Sequence, residues 1–320
     1  MSGGVQIPVR VAAVDTVAQN IKRFRLEPES GEPMPLFSGG SHIVVTMRDG
    51  AHTYRNPYSL MGSPDDGASY HISVLKTEIS RGGSHFMHDG IAVGASLTIS
   101  HPINLFPIDQ RGRKHILIAG GIGITPFIAM AEQLDFQGQP FELHYAMRGE
   151  DRGAYARNLV ARFGRRVRLY RDDRDSRLPL DSLLDHQPLG THLYVCGPGP
   201  MIEWVLSSAR AAGWPNESLH FERFLPPPSG TPFAVRLAAS DQTISVGEHE
   251  SILEAVEAAG VDAPYLCRGG ACGQCETAVL LADGELDHMD HYLTPEEKSG
   301  GRKIMICVSR LKGRKLELDL

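Results

Sequence analysis

Five cysteines stand at positions 196, 267, 272, 275 and 307, and four of them crowd into the last fifth of the chain. The crowded set reads Cys267-x4-Cys272-x2-Cys275, with Cys307 after a gap of 31 residues. Four thiolates at this spacing suit a plant-type [2Fe-2S] cluster, two ligands to each iron. The loop itself, CRGGACGQC, is rich in Gly and Ala. Small residues let the backbone wrap closely around inorganic sulfur and turn N–H groups toward it. Structural zinc is the competing chemistry, but zinc sites usually draw on paired CxxC units and only one such pair exists here. A third reading is four cysteines simply packed in a core. The cluster reading implies transfer of one electron at a time.

Two further segments carry residue types suited to phosphate. Ile118-Ala119-Gly120-Gly121-Ile122-Gly123-Ile124-Thr125-Pro126 joins an apolar strand to a helical pattern. Glycines there permit a tight turn and let a pyrophosphate approach the helix start, where unpaired N–H groups favour anions. The run is not the usual GxGxxG with an acidic residue some 20 positions on, and a close helix–strand crossing is the plainer reading. Cys196-Gly197-Pro198, with Met201 just beyond, closes another predicted strand. Strand ends of this kind are where parallel sheets bind ligands, although a buried structural thiol also suits Cys196.

Upstream, Arg55-Asn56-Pro57-Tyr58-Ser59-Leu60 offers an Arg fork for phosphate, a ring able to lie on an isoalloxazine face, and a hydroxyl. Arg81-Gly82-Gly83-Ser84 reads as a helix start able to hold a phosphate. A structural Arg with a packed Tyr, and a simple turn, are the bland alternatives for these two segments.

The elements that must position these residues fall into three textures. Short strands with β-branched residues and partial alternation fill residues 1–105: VRVAAVDTVA, IKRFRLEP, HIVVTMR and YHISVLK, separated by turns. This predicts a small antiparallel barrel. From residue 114 strands alternate with helices: KHILIAGGIGI, then TPFIAMAEQL, FELHYAMR, DRGAYARNLVARF, VRLYRDD, THLYVCGP and PMIEWVLSSARAAG. Interleaving of this kind predicts a parallel α/β sheet. After HFERF comes LPPPSG, three prolines and then Ser-Gly, a stiff-then-flexible linker. Beyond it follow a hairpin (FAVRLAASDQTISVG), a short amphipathic helix (SILEAVEAAG), the cysteine loop, and strands at TAVLLADGELD and KIMICVSR. The expected boundaries are 1–106, 107–226 and 227–320.

A chain of 320 residues is too long for one small core. Residues 229–320 hold 15 acidic against 9 basic side chains, so they account for the whole net charge of -6. An acidic module suits a basic partner surface, or simply solubility. Nucleic-acid binding is disfavoured, because the arginines of 162–177 are interleaved with acids and apolar strand residues. No run approaches the roughly 20 apolar residues that span a bilayer, and MSGGVQIPVRV has no apolar signal stretch. The expectation is a cytoplasmic protein without membrane or nucleic-acid partners.

Taken together, the motifs resemble the phthalate dioxygenase reductase family, which includes the vanillate O-demethylase reductases, over nearly the full length. RNPYSL resembles its flavin motif, which gives Arg55 to phosphate, Tyr58 to the ring face and Ser59 to flavin N5, with Leu60 closing the motif. SVLK followed by SRGGSHF resembles the stretch closing the FMN phosphate site and implicates Lys76, Gly82, Gly83 and Ser84. AGGIGITPFIAMAEQL and YVCGPGPMI resemble the nicotinamide-cofactor motifs. They imply pyrophosphate contacts at Gly120, Gly121, Gly123, Thr125 and Pro126, and nicotinamide contacts at Cys196, Gly197, Pro198 and Met201. Arg148 falls on the adenosine side, and HFERF places Phe224, with Glu222, near the flavin. HPINLF departs from the family, where a Gly often precedes the Pro.

The resemblance implies an antiparallel β-barrel flavin domain, an α/β parallel-sheet nicotinamide domain and an α+β (β-grasp) plant-type ferredoxin domain. It implies FMN rather than FAD, NADH with NADPH also open, and a [2Fe-2S] cluster. The expected activity is hydride transfer from NADH to FMN. Single electrons then pass through the cluster to a terminal oxygenase of the Rieske non-haem iron type. Ser59, Cys196, Phe224 and Glu222 are the expected catalytic residues. A general NAD(P)H:acceptor reductase and a redox-sensing module without turnover are the alternatives. Arg148, Arg152 and Arg171 are the basic residues available to a 2′-phosphate.

Overall fold

The computed structural model describes residues 6–50, 52–78, 80, 82–174, 176–224 and 229–320. Arg81, the Pro226–Pro228 linker and the expected 226/227 boundary lie outside the described residues. Two compact units emerge, one formed by Gln6–Thr77 with Ser84–Phe224, the other by Glu78–Gly83 with the C-terminal residues through Leu320.

The first unit begins with an antiparallel sheet. Its strands are β1 (Gln6–Ala18), β2 (Ile21–Pro28), β3 (Ser41–Asp49), β4 (His52–Ser59) and β5 (Tyr70–Leu75), then, after helix α1 (Gly83–Asp89), β6 (Ser96–Ser100) and β7 (Ile103–Asn104). Their order is β4-β3-β6-β1-β2-β5, with β7 pairing β3. A bridge between Met61, just past β4, and His71 on β5 brings the two ends of this order together, as a barrel requires. Alternation sends Val9, Val11, Ile43, Val45, Phe24 and Leu26 into a common core. Pro57 is tolerated inside β4 because that strand has a continuous ladder on one side only.

A parallel sheet follows, built from β8 (Lys114–Gly120), α2 (Thr125–Phe136), β9 (Phe141–Met147), α3 (Ala156–Phe163), β10 (Val167–Arg171), α4 (Leu180–Leu184), β11 (Thr191–Cys196), α5 (Gly199–Ala211) and β12 (Leu219–Glu222). The order is β10-β9-β8-β11-β12, all parallel. The reversal beside β8 is the switch point at which such sheets open a ligand crevice. Both faces are apolar. Leu117, Tyr145 and Phe127 pack on one side, and Ile116, Leu193 and Val205 on the other, as helix-covered parallel strands require. The strand β12 and the short helix α4 are additions to the sequence expectation, because the four residues LHFE and the five of LDSLL are too short to show a period. Barrel and sheet are tied by Gly39 N–H donating to Gln133 Oε1 at 2.7 Å and by Ser73 and Tyr155 hydroxyls 2.6 Å apart.

The second unit holds β13 (Phe233–Leu237), β14 (Gln242–Val246), α6 (Ile252–Ala258), β15 (Glu276–Ala282), β16 (Glu285–Asp287), α7 (Pro295–Gly300), β17 (Lys303–Met305), β18 (Arg310–Lys312) and β19 (Lys315–Leu318). A five-stranded sheet runs β14-β13-β19-β15-β17, with β16 and β18 forming a separate pair. β13 and β14 make the expected antiparallel hairpin, and β13 lies parallel to β19. Both helices start with capping boxes, Ser251 with Glu254 and Thr294 with Glu297. One expectation is corrected: KIMICVSR is not a single strand. β17 ends at Met305, and the chain turns through Cys307 before β18. Among the described residues, no helix is long and apolar enough to cross a membrane.

Candidate functional site

The cysteine loop is shaped by its glycines. Gly270 and Gly273 have φ of 71° and 78°, in the left-handed region that glycine adopts without penalty. A Cβ on Gly273 would lie 2.3 Å from the Tyr292 ring, and one on Gly270 2.7 Å from Val308. The loop is anchored through Arg268, which donates to Glu257 on α6 and sits 4.0 Å over the Tyr265 ring. Cys275 and Cys307 bring their Sγ atoms to 3.2 Å, too far for a disulfide. Cys267, Cys275 and Cys307 are buried and Cys272 is half-buried. The Gly269 N–H donates to Cys267 Sγ at 3.3 Å. Hydrogen bonds from Cys272 and from the backbone of Ala271, Gly269 and Cys272 pull the Cys267 thiol down, while Cys272 opposite it and Cys307 beside Cys275 are pushed up as the donors of those pairs. The donor set therefore fits four-thiolate ligation.

At the C-terminal edge of the parallel sheet, two loops meet almost without space. A Cβ on Gly123 would fall 2.3 Å from the Cys196 carbonyl oxygen, and one on Gly120 2.6 Å from Met201 Sδ and 2.8 Å from Pro198 Cδ. Gly121 takes φ +55°, turning the chain into a short 3-10 segment before α2. Pro126 stands in the first turn of α2, and Thr125 Oγ donates to the Ile122 carbonyl at 3.1 Å. Neither α2 nor α5 has a side chain capping its N-terminus. The Thr125 N–H already donates to the Ile122 carbonyl and the Met201 N–H to the Pro198 carbonyl, so it is the open backbone at Gly121, where a Cβ would meet nothing within 4 Å, that fits this edge to a dinucleotide pyrophosphate.

Cys196 is fully buried at the end of β11, and Glu222 is its neighbour on β12. Burial, with the Glu222 carboxyl adding to it, pushes the Cys196 thiol up well above its usual range. Burial of this kind disfavours the thiolate. Glu222 Oε2 is buried with no hydrogen-bond partner, and burial pushes this carboxyl up to about 8. Phe224, two residues on, is 44 % exposed. Arg148 is exposed beyond β9. Arg171 is ion-paired to Asp173 at 2.8 Å and Glu150 at 3.1 Å, and Arg152 Nε donates to Gln19 at 3.0 Å. Two of the three arginines available to a 2′-phosphate are thus engaged.

In the barrel, β4 carries the Arg-Tyr-Ser segment. Strand alternation sends Arg55 and Ser59 out on one face and Asn56 and Tyr58 on the other. Asn56 Nδ2 donates to Tyr58 Oη at 3.2 Å, in keeping with a shared face. Ser59 is buried with its Oγ unpartnered, and Leu60 is fully buried. Directly across the ladder from Ser59 is His42, buried with neither ring nitrogen bonded. Burial lowers its pKa to about 4. Orphaned polar groups cost free energy unless something satisfies them, and a polar-edged ring such as a flavin fits here. Lys76 reaches Asp89 at 2.7 Å. The Gly82 N–H donates to Ser80 Oγ at 3.0 Å. Gly83 opens α1, and Ser84 Oγ lies 3.4 Å from Thr77 Oγ. His42 and Thr77 are neighbours that the sequence reading passes over. The signal for His42 is a lone His opening an otherwise apolar strand.

Residues 99–219 match the family described as dimethylamine monooxygenase subunit DmmA-like, N-terminal domain. Residues 235–312 match the 2Fe-2S iron-sulfur cluster binding domain. The carnitine monooxygenase reductase subunit of Acinetobacter baumannii is 44 % identical over 98 % of this chain and 98 % of its own. The heme-dependent oxidative N-demethylase beta subunit of Ectopseudomonas mendocina is 43 % identical, over 98 % and 99 %. Among solved structures, phthalate dioxygenase reductase superposes with a TM-score of 0.87 at 34 % identity, covering 98 % of both chains. That structure is described as modular, for electron transfer from pyridine nucleotides to [2Fe-2S].

Proposed function

Because the chain belongs to the phthalate dioxygenase reductase family of flavin and iron–sulfur oxidoreductases, we propose that it is the reductase component of a multi-component oxygenase system. We further propose FMN as its flavin and a terminal oxygenase of the Rieske non-haem iron type as its acceptor. The observation that carries the proposal is the cage of four cysteines around a glycine-shaped loop, since an electron-splitting reductase needs a one-electron carrier at its exit.

NADH brings two electrons as a hydride, and flavin and [2Fe-2S] cluster allow them to leave singly. The chain's own residues place and protect these groups. Gly120, Gly121, Gly123, Thr125 and Pro126 would hold the pyrophosphate at the start of α2, with Arg148 toward the adenosine. Cys196, Gly197, Pro198 and Met201 would bound the nicotinamide, and the neutral Cys196 thiol adds an uncharged wall. Ser59 would offer its unpartnered hydroxyl to the flavin ring, with Tyr58 and Phe224 as ring contacts. Arg55, Lys76, Gly82, Gly83 and Ser84 would hold the FMN phosphate. Glu222, protonated at neutral pH, would hold a proton beside Cys196 without adding charge. Cys267, Cys272, Cys275 and Cys307 would hold the cluster. The ion-paired state of Arg171 supports NADH over NADPH. A cytoplasmic setting belongs to the same proposal, because thiolate ligands persist in a reducing compartment.

A second reading of the partner rests on the similarity to the heme-dependent N-demethylase subunit, which favours a haem-type terminal component. Anaerobic titration with NADH and, in parallel, NADPH, followed by visible absorption and EPR, tests the internal path. Bleaching of flavin and cluster with a reduced [2Fe-2S] signal is expected with NADH. Mixing the reduced protein with a Rieske-type and with a haem-dependent oxygenase component then separates the two partners by which is reduced. Release of bound flavin and its chromatography identifies FMN or FAD. Failure of either nucleotide to reduce either centre refutes the reductase proposal.

A further inference from the structure

The edge of the parallel sheet opposite the nucleotide crevice carries three histidines. His115, His192 and His220 are each the second residue of β8, β11 and β12. Parallel strands start at the same edge, so the register brings together side chains far apart in the chain. His192 Nδ1 and His220 Nε2 face each other at 2.9 Å. Asp109, in the segment leading to β8, sets Oδ2 4.0 Å from His192 Nδ1. One donor atom from each of Asp109, His192 and His220 lies within 4.8 Å of the others. Two donors on one zinc ion, each at about 2.0–2.2 Å in tetrahedral geometry, stand roughly 3.4 Å apart. The observed separations bracket that value.

The donors are also held from behind. The Tyr194 ring stacks on His220 with centroids 4.4 Å apart and an interplanar angle of 13°. The same tyrosine's hydroxyl accepts the Asp109 N–H at 2.8 Å. One buried side chain therefore fixes two of the three ligand-bearing residues, as supporting partners do in metal sites. His192 lies parallel to His220, with centroids 5.2 Å apart. The remaining polar neighbours are His115, whose ring centroid lies 6.3 Å from that of His192, and Arg111, whose Nη2 and Nε donate to the Asp109 carboxylate at 2.6 and 3.0 Å and whose backbone N–H donates to it at 2.9 Å. Its side chain is 83 % exposed, so it can leave the carboxylate without breaking a packed core.

We propose that Asp109, His192 and His220 form a binding site for a first-row divalent metal ion, zinc or an ion of similar coordination, remote from the cofactor edge. Two imidazoles and one carboxylate are a ligand set used by zinc and non-haem iron proteins, and water completes the coordination. The ion clamps the segment entering β8 to strands β11 and β12.

Oxidised holoenzyme is dialysed against graded free Zn2+, and zinc and iron are counted per chain while the visible spectrum is followed. One saturable zinc per chain, with iron and spectrum unchanged, is expected. His220→Gln and Asp109→Asn each weaken binding by at least the roughly 10- to 100-fold that follows loss of a supporting partner. Arg111→Gln removes the cation competing for the carboxylate and tightens binding. Cu2+ EPR on the unaltered chain gives a readout independent of variant folding, because oxidised flavin and oxidised cluster are silent. Nitrogen hyperfine structure from imidazole ligands is expected. The proposal is overturned by absence of saturable zinc, by zinc taken up only as iron is lost, by unchanged affinity in both ligand variants, or by a copper signal without imidazole nitrogen. In the last two cases the histidines are simply a hydrogen-bonded neutral pair.

Discussion

Replacing Gly123 by alanine puts a methyl group where the chain has left only backbone. The new Cβ would stand 2.3 Å from the Cys196 oxygen, 2.5 Å from its carbonyl carbon and 2.8 Å from Gly197 N, about 1 Å or more inside van der Waals contact. Cys196 cannot retreat cheaply, because β11 is hydrogen-bonded on both sides, to β8 and β12. The strain therefore falls on the turn into α2 and on the Cys196–Pro198 loop together. Overpacking of this size costs about 1–3 kcal/mol of stability. A displacement near 1 Å at a positioning loop costs on the order of 100-fold in rate. Stopped-flow reduction of the flavin by NADH, measured anaerobically beside the thermal midpoint, reads both. Gly199→Ala is the internal control, since nothing lies within 4 Å of its Cβ. Flavin reduction by the Gly123 variant at the unaltered rate and affinity would refute the argument that this crossing positions the nicotinamide.

Cys307→Ala is expected to abolish the [2Fe-2S] absorption and EPR signals while NADH still bleaches the flavin, and a retained cluster sinks its ligand role. Arg55→Ala should weaken FMN binding by about 10- to 100-fold, the size of a charge-assisted hydrogen bond. Flavin affinity equal to that of the unaltered chain removes Arg55 from the phosphate site. Glu222→Gln should flatten the pH dependence of flavin reduction. The unaltered chain should slow as pH rises through about 8 and a carboxylate appears beside Cys196; parallel profiles would refute this.

His42 gives a stability signature of the opposite sense. Its folded-state pKa of about 4 lies below the ordinary 6.5, so its contribution is complete above pH 6.5. As pH falls, the unfolded chain takes a proton that the fold refuses until about pH 4. Roughly 3 kcal/mol is lost over that window. The midpoint for thermal loss of the flavin, compared between His42→Leu and the unaltered chain at pH 7.5 and 4.5, checks it; an equal acid shift in both refutes it.

Features whose physics is local are legible in the chain alone. Ligand spacing within one loop declares the cluster, because four thiolates must reach two irons within a few residues and one return. Alternation in VRVAAVDTVA, and the strand–glycine–helix succession after Lys114, declare barrel and parallel sheet through backbone periodicity. Turn geometry at Cys307 was hidden, because an apolar run such as KIMIC reads alike as strand or as buried turn. Strand β12 was hidden by its length. Pairing between strands in the folded chain decides the rest. It sets Gly123 against Cys196, His42 opposite Ser59, Glu222 beside Cys196, and His192 and His220 beside Asp109. No residue in these pairs signals its partner, because the register comes from burying both faces of a whole sheet at once, and that free energy belongs to no single segment.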